Sequence, residues 1–233
     1  MHMDRRQFVK NLGLGTASLS MGSLVTASSC APSGDSSLKQ NVKEGEDGQF
    51  LFIGDDIAIA QTEYGKVQGY LLNHVYTFLG VPYGADTSGK NRFMPPQKPE
   101  PWTDVRPAVF YGNTAPQRME NRWPNNYGTF ADHWNYWDVS EDCLYLNVWT
   151  PGIADGKKRP VLVWLHGGGF TNGSGIEQDG YHGENISREG DIVFCSINHR
   201  LGPIGFSDLS GVGGEAYKDS GNVGMLDIIA ALR

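Results

Sequence analysis

The sequence predicts an α/β fold, with small antiparallel strands at the start of the folded domain and a mainly parallel central sheet after them. Three observations predict it. Short β-like runs separated by turn signals occupy residues 58–79. Three nearly all-apolar β-like runs follow, at 144–149, 161–165 and 192–197, and continuous rather than alternating apolarity marks strands covered on both faces. The segments between those runs are long enough for crossovers, and a helical pattern occupies residues 223–232. Strands alternating with helices form a parallel α/β sheet.

Taken in order, the first thirty residues read as targeting. Asp4-Arg5-Arg6-Gln7-Phe8-Val9-Lys10 precedes a weakly apolar run rich in Gly, Ala, Ser and Leu. This resembles a twin-arginine export signal. Gly13, Gly15 and Gly22 make the same stretch a poor amphipathic helix. The run ends in Thr26-Ala27-Ser28-Ser29-Cys30, small residues before a cysteine. Two readings stay open there: a lipid anchor on Cys30, for which Ala27 stands where a leucine is usual, or simple cleavage. The expected location is accordingly periplasmic, extracellular or anchored at the cell envelope. Residues 31–49 are polar and aperiodic and read as a flexible linker, which leaves 50–233 as the folded domain.

Within that domain, Tyr64-Gly65-Lys66 supplies the first turn. Residues 92–102 carry prolines too densely for a helix or a central strand and read as an extended surface segment. Residues 120–140 interleave Trp123, Tyr127, Phe130, Trp134, Tyr136 and Trp137 with Asn, Gly and Asp at neither helical nor strand spacing. Such aromatics either pin an irregular loop or wall a binding site.

Composition narrows the function. Of 233 residues 39% are hydrophobic and 19% charged, enough for a sizeable core, and the formal net charge is −7. The one basic run is Lys157-Lys158-Arg159. That balance argues against nucleic acid and against an anionic membrane surface. Three cysteines allow one disulfide at most; Cys195 lies inside an apolar run, where a buried inert thiol is expected.

The chemistry points to Val161-Leu162-Val163-Trp164-Leu165-His166-Gly167-Gly168-Gly169-Phe170. Glycines at the end of a buried strand expose backbone N–H groups as an anion cradle. A phosphate loop would continue Gly-Lys-Ser/Thr, whereas Phe170-Thr171-Asn172 follows here. Gly211-Val212-Gly213-Gly214 follows a loop rather than a strand and is no dinucleotide fingerprint. An oxyanion cradle for acyl transfer is the remaining use, and His166-Gly167-Gly168-Gly169 matches the HGGG element of α/β-hydrolase lipases and esterases.

From about Thr62 onward the chain resembles the N-terminal part of the type-B carboxylesterases, the group that includes the cholinesterases. The resemblance rests on Gly65-Lys66-Val67-Gln68-Gly69, Phe78-Leu79-Gly80-Val81-Pro82-Tyr83, Arg92-Phe93, Glu141-Asp142-Cys143-Leu144-Tyr145-Leu146-Asn147-Val148, the HGGG run, Asn198-His199-Arg200-Leu201-Gly202-Pro203 and Gly221-Asn222-Val223-Gly224-Met225-Leu226-Asp227, in that order. It implies the N-terminal portion of an α/β-hydrolase fold, incomplete at the C-terminus. It implies oxyanion donors at Gly168 and Gly169, each worth about 3 kcal/mol of transition-state stabilisation. It implies substrate contacts from Phe170, Trp134 and Trp137, and scaffold ion pairs Arg92–Glu141 and Arg200–Asp227. Cutting one partner of such a pair, where it is buried, costs about 3–5 kcal/mol. The expected substrate is a small carboxylic ester, with no cofactor and no metal.

Two departures stand out. Ala115-Pro116-Gln117 occupies the place of the cysteine that often pairs with the one matching Cys143, so Cys143 is expected free and buried. His199 replaces the tyrosine more often found before Arg-Leu-Gly, and is expected to be a satisfied structural residue. Gly-x-Ser-x-Gly, the frame of the hydrolase nucleophile, occurs nowhere in the 233 residues. The sequence therefore predicts a serine esterase in the intact protein and an inactive, marginally folded polypeptide as given. The alternative is a non-catalytic binding or adhesion protein on the same scaffold. Aligned N–H donors favour the enzyme.

Overall fold

The computed structural model describes residues 50–118 and 138–233. The export signal, the linker and Cys30 lie outside the described residues, as do Trp134, Trp137 and most of the aromatic loop. Among the described residues there are nine strands: β1 (Leu51–Phe52), β2 (Ile59–Gln61), β3 (Lys66–Gln68), β4 (Tyr70–Leu72), β5 (Val75–Pro82), β6 (Arg106–Pro107), β7 (Tyr145–Thr150), β8 (Val161–Trp164) and β9 (Val193–Ile197). They form a six-stranded sheet ordered β1-β4-β5-β7-β9-β8 and a three-stranded sheet ordered β2-β3-β6.

The opening strands follow from local turn chemistry. β2 and β3 pair antiparallel across the turn at Gly65, whose φ is +156°. β4 and β5 pair across Asn73 and His74, both with positive φ (48° and 66°), the geometry whose twist matches two antiparallel strands. Residues 92–102 contain no strand or helix.

The strand directions correct the expectation of a mainly parallel sheet. β5 with β7 and β7 with β9 are antiparallel, and within the large sheet the parallel pairing is β8 with β9. Continuous apolarity reports two covered faces, and a central antiparallel strand has those as well; direction is set by the connections instead. Among the described residues, β8 and β9 are joined by a crossover that carries an α-helix, Glu184–Gly190.

The two faces of β7 and β9 are covered. On one, Cys195, Ile197 and Ile228 are buried together, with Leu146, Val148, Val163 and Met225 packed round them, so the helix Val223–Ala231 lies against the sheet. On the other, Trp149 and Phe194 pack with Val75 and Leu79, and the Ser187 hydroxyl of the Glu184–Gly190 helix donates to the Trp149 carbonyl at 2.9 Å. Gly183 sits so close to Phe194 and Trp149 that a Cβ would collide with both rings. β8 departs from the expected double burial: Val161 is 63% exposed and Leu165, just past the strand, 49%. β8 pairs with β9 along one edge, and no described strand lines the other.

Cys143 and Cys195 are both free and buried. Burial pushes the Cys195 thiol up to about 12 and the Cys143 thiol higher still, so both are neutral. Among the described residues, no helix is long and apolar enough to cross a membrane.

Candidate active site

The cradle begins where β8 ends. Gly168, Gly169 and Phe170 take positive φ in succession (115°, 61° and 64°), which turns the backbone sharply and leaves it exposed. At Gly168 glycine is obligatory, because a Cβ would run into the Asn172 carbonyl oxygen. Phe170 is not a glycine, and a bulky residue held at positive φ stores about 1–3 kcal/mol that its surroundings must offset. The Phe170 carbonyl accepts from Gly202 N–H at 2.7 Å, and its ring meets Phe206 at 5.2 Å between centroids.

The Gly168 carbonyl points back into the turn, accepting from Thr171 N–H at 3.1 Å and from the Thr171 hydroxyl at 2.9 Å. The N–H groups of Gly168 and Gly169 donate to no described residue. Consecutive N–H groups left over in a positive-φ turn are the arrangement that receives a developing oxyanion.

Side chains from distant segments hold this loop in place, and single-residue spacing gave no hint of them. Gln117 clamps the far end of the loop reciprocally: Gly173 N–H donates to its Oε1 at 2.7 Å, and its Nε2 donates to the Gly173 carbonyl at 2.9 Å. Asn198, at the end of β9, accepts from Gly175 N–H at 2.8 Å and donates to the Asn113 carbonyl at 3.0 Å. His166 Nδ1 lies 2.8 Å from the Gly167 carbonyl, and its ring stacks on that of His199, 4.9 Å away and tilted by 10°.

Behind this layer, Arg200 and Asp227 are both fully buried. Arg200 Nε and Nη2 reach the two carboxylate oxygens at 2.8 and 2.6 Å, its backbone N–H donates to the same carboxylate at 3.1 Å, and Nη1 donates to the Met94 carbonyl at 2.8 Å. Arg92 and Glu141 also form a two-bonded pair, at 2.7 Å each, but the Arg92 side chain is 46% exposed. Water screens that pair, and it adds little to stability. Both pairs lie outside the cradle.

Burial holds the His199 imidazole below the usual histidine range, against smaller upward pulls from the Arg200 carbonyl, 3.0 Å from Nδ1, and from the Asp227 carboxylate. His199 is therefore neutral at pH 7, with Nδ1–H donating to that carbonyl. Among the described residues no group of three or more His, Cys, Asp or Glu side chains is placed to hold a metal ion.

Comparison with known proteins places this geometry. The carboxylesterase family profile matches residues 56–233. A para-nitrobenzyl esterase of Bacillus subtilis is 40% identical over 178 residues, covering 75% of this chain and 33% of that protein. The acetylcholinesterase of Electrophorus electricus is 38% identical over 198 residues, covering 79% of this chain and 30% of that protein. Among solved structures, an esterase of Clostridium hathewayi superposes with a TM-score of 0.71 at 39% identity, over 79% of this chain and 35% of the other. The chain spans about a third of the length of these relatives. With an α/β-hydrolase sheet and an HGGG turn at the end of β8, the chain belongs to the carboxylesterase family.

Proposed function

We propose that the protein hydrolyses carboxylic esters through a serine acyl-enzyme, and that the Gly168 and Gly169 N–H groups bind the oxyanion of the tetrahedral intermediate. One observation carries this reading: two adjacent N–H groups, unclaimed by any described residue, sit in an exposed positive-φ turn that hydrogen bonds from Gln117 and Gly202 hold in place. An ester carbonyl whose oxygen enters this turn becomes more electrophilic, and the charge it gains on attack is met by dipoles already in position. The attacking serine, its general base and the base's carboxylate are, in this reading, not among these 233 residues. Phe170, 56% exposed beside the donors, would contact the substrate. Arg5-Arg6 and the run after them support export by the twin-arginine route. Replacing both arginines by lysine is expected to leave the protein in the cytoplasm, and unchanged export would refute that.

Hydrolysis of p-nitrophenyl acetate tests the activity, measured on the 233-residue chain and on the complete product of its gene. Turnover by the complete product that a phosphonofluoridate abolishes, with none above buffer from the 233 residues, supports the reading. A complete product without turnover overturns it.

A further inference from the structure

We propose that His199 is a positioning residue for the oxyanion cradle: its ring, stacked on His166, fixes the imidazole that holds the Gly167 carbonyl, and so fixes where the Gly168 and Gly169 N–H groups point. The inference rests on the esterase reading for its kinetic consequence and on geometry alone for its structural one.

The observations form a chain from the buried scaffold to the donors. His199 is 4% exposed and lies between two anchored residues. Before it, Asn198 is tied through its amide to Gly175 N–H and the Asn113 carbonyl. After it, Arg200 is tied to Asp227 and Met94. Close packing leaves the buried His199 ring little room to turn, and the Nδ1–H donated to the Arg200 carbonyl adds to that restraint. Its flat face is thus a fixed wall. His166 lies nearly parallel against that wall, and its Nδ1–H is directed at the Gly167 carbonyl, which shares one peptide unit with the Gly168 N–H, the first donor. Gly173 lies close to the same group, since a Cβ there would strike both the Gly167 oxygen and His166 Nδ1. The His166 ring thus has His199 against its face and Gly173 close to its Nδ1, and the peptide plane it holds is the one that carries the Gly168 N–H.

The charged and titratable groups around His199 suit this task. Besides His166 they are the Arg200 guanidinium and the Asp227 carboxylate, which neutralise each other through two hydrogen bonds. The stack is therefore built from an imidazole that stays neutral and does not repel its neighbour. A flat ring is what the position requires; the acid–base capacity of histidine is not used.

Two substitutions separate these requirements, in the complete gene product and in the 233-residue chain. His199→Phe keeps a flat ring and discards the nitrogens, whereas His199→Leu keeps apolar bulk and discards the flat face. With p-nitrophenyl acetate, His199→Leu is expected to lower kcat about tenfold with KM within about twofold of the parent. That is less than the full loss of one oxyanion donor, because the donors are misaimed rather than removed. His199→Phe is expected to stay within about twofold in kcat. A kcat for His199→Leu within twofold of the parent, or a fall in His199→Phe as deep as in His199→Leu, overturns the proposal. Should His199→Leu not fold, His199→Gln takes its place under the same thresholds.

The imidazole nitrogen NMR spectrum of His166 gives a readout that needs no turnover. A single Nδ1–H tautomer is expected in the parent and in His199→Phe, with tautomer averaging in His199→Leu or, in its place, His199→Gln. If the parent hydrolyses no ester, the esterase reading fails, and the spectrum alone decides on the stack. A His166 tautomer equally fixed without the flat face then overturns it.

Discussion

At the scale of single residues, the cradle is specified by what cannot be added to it. Gly168 combines a φ of 115° with a neighbouring carbonyl that would collide with any Cβ. Gly168→Ala in the complete gene product is therefore expected to cut kcat/KM for p-nitrophenyl acetate by 100-fold or more, the scale of one lost oxyanion donor. A fall below tenfold would show that this N–H group does not meet the oxyanion. The buried cysteines make a second residue-level test. With thiols held neutral and out of reach, Cys143 and Cys195 are expected not to react with a maleimide at pH 8 in the native chain and to react after unfolding in guanidinium. The HGGG motif made the turn visible in the sequence, because three glycines in a row after an apolar strand mark a backbone that must bend sharply. Gln117, Asn198 and the face of His199 were invisible, because a single amide or ring acting on a distant segment, as Gln117 does across 56 residues of chain, leaves no periodicity to read.

At the scale of elements, the helix Val223–Ala231 is joined to the end of β9 by a charge pair from which water is excluded. Asp227→Ala strands the Arg200 guanidinium with a single carbonyl partner, and is expected to cost about 3–5 kcal/mol in urea unfolding. Glu141→Ala removes a water-screened partner and is expected to cost far less, so the difference between the two variants is the informative quantity. pH acts on the same element. The folded-state pKa of His199 lies below its unfolded value, so unfolded chains take up the proton first as pH falls. Stability from this group is present above the unfolded histidine value of about 6.5 and declines as pH falls from there toward the depressed value. His199→Phe is expected to flatten that decline in a urea titration between pH 7 and 5. The apolar runs revealed the strands at 144–149 and 192–197 and the burial of their faces. They could not reveal strand direction, because a buried antiparallel strand and a buried parallel one need the same side chains.

At the scale of the whole molecule, the described fold presents an apolar margin at β8. Val161 and Leu162 on β8, then Leu165, are 63%, 41% and 49% exposed, along a strand edge that no described strand pairs. An apolar strand with free backbone groups invites pairing with a second chain. The 233-residue chain is therefore expected to associate at micromolar concentration in light scattering, and Leu162→Lys is expected to reduce that association. Unchanged scattering in the variant would place the sticky surface elsewhere.

The buried arginine has a further consequence, in time rather than in space. Arg200 draws together the Met94 carbonyl and the Asp227 carboxylate, so the wall behind the cradle is closed by a residue translated well after the glycines themselves. On the ribosome the HGGG turn emerges first and must wait, with its strained Phe170 unsupported, until Gly202 and Phe206 clear the exit tunnel and Asp227 then fixes the Arg200 that lies between them and β9. A nascent chain stalled before Asp227 should therefore be cut by protease around Phe170, and one stalled well beyond it should be protected there.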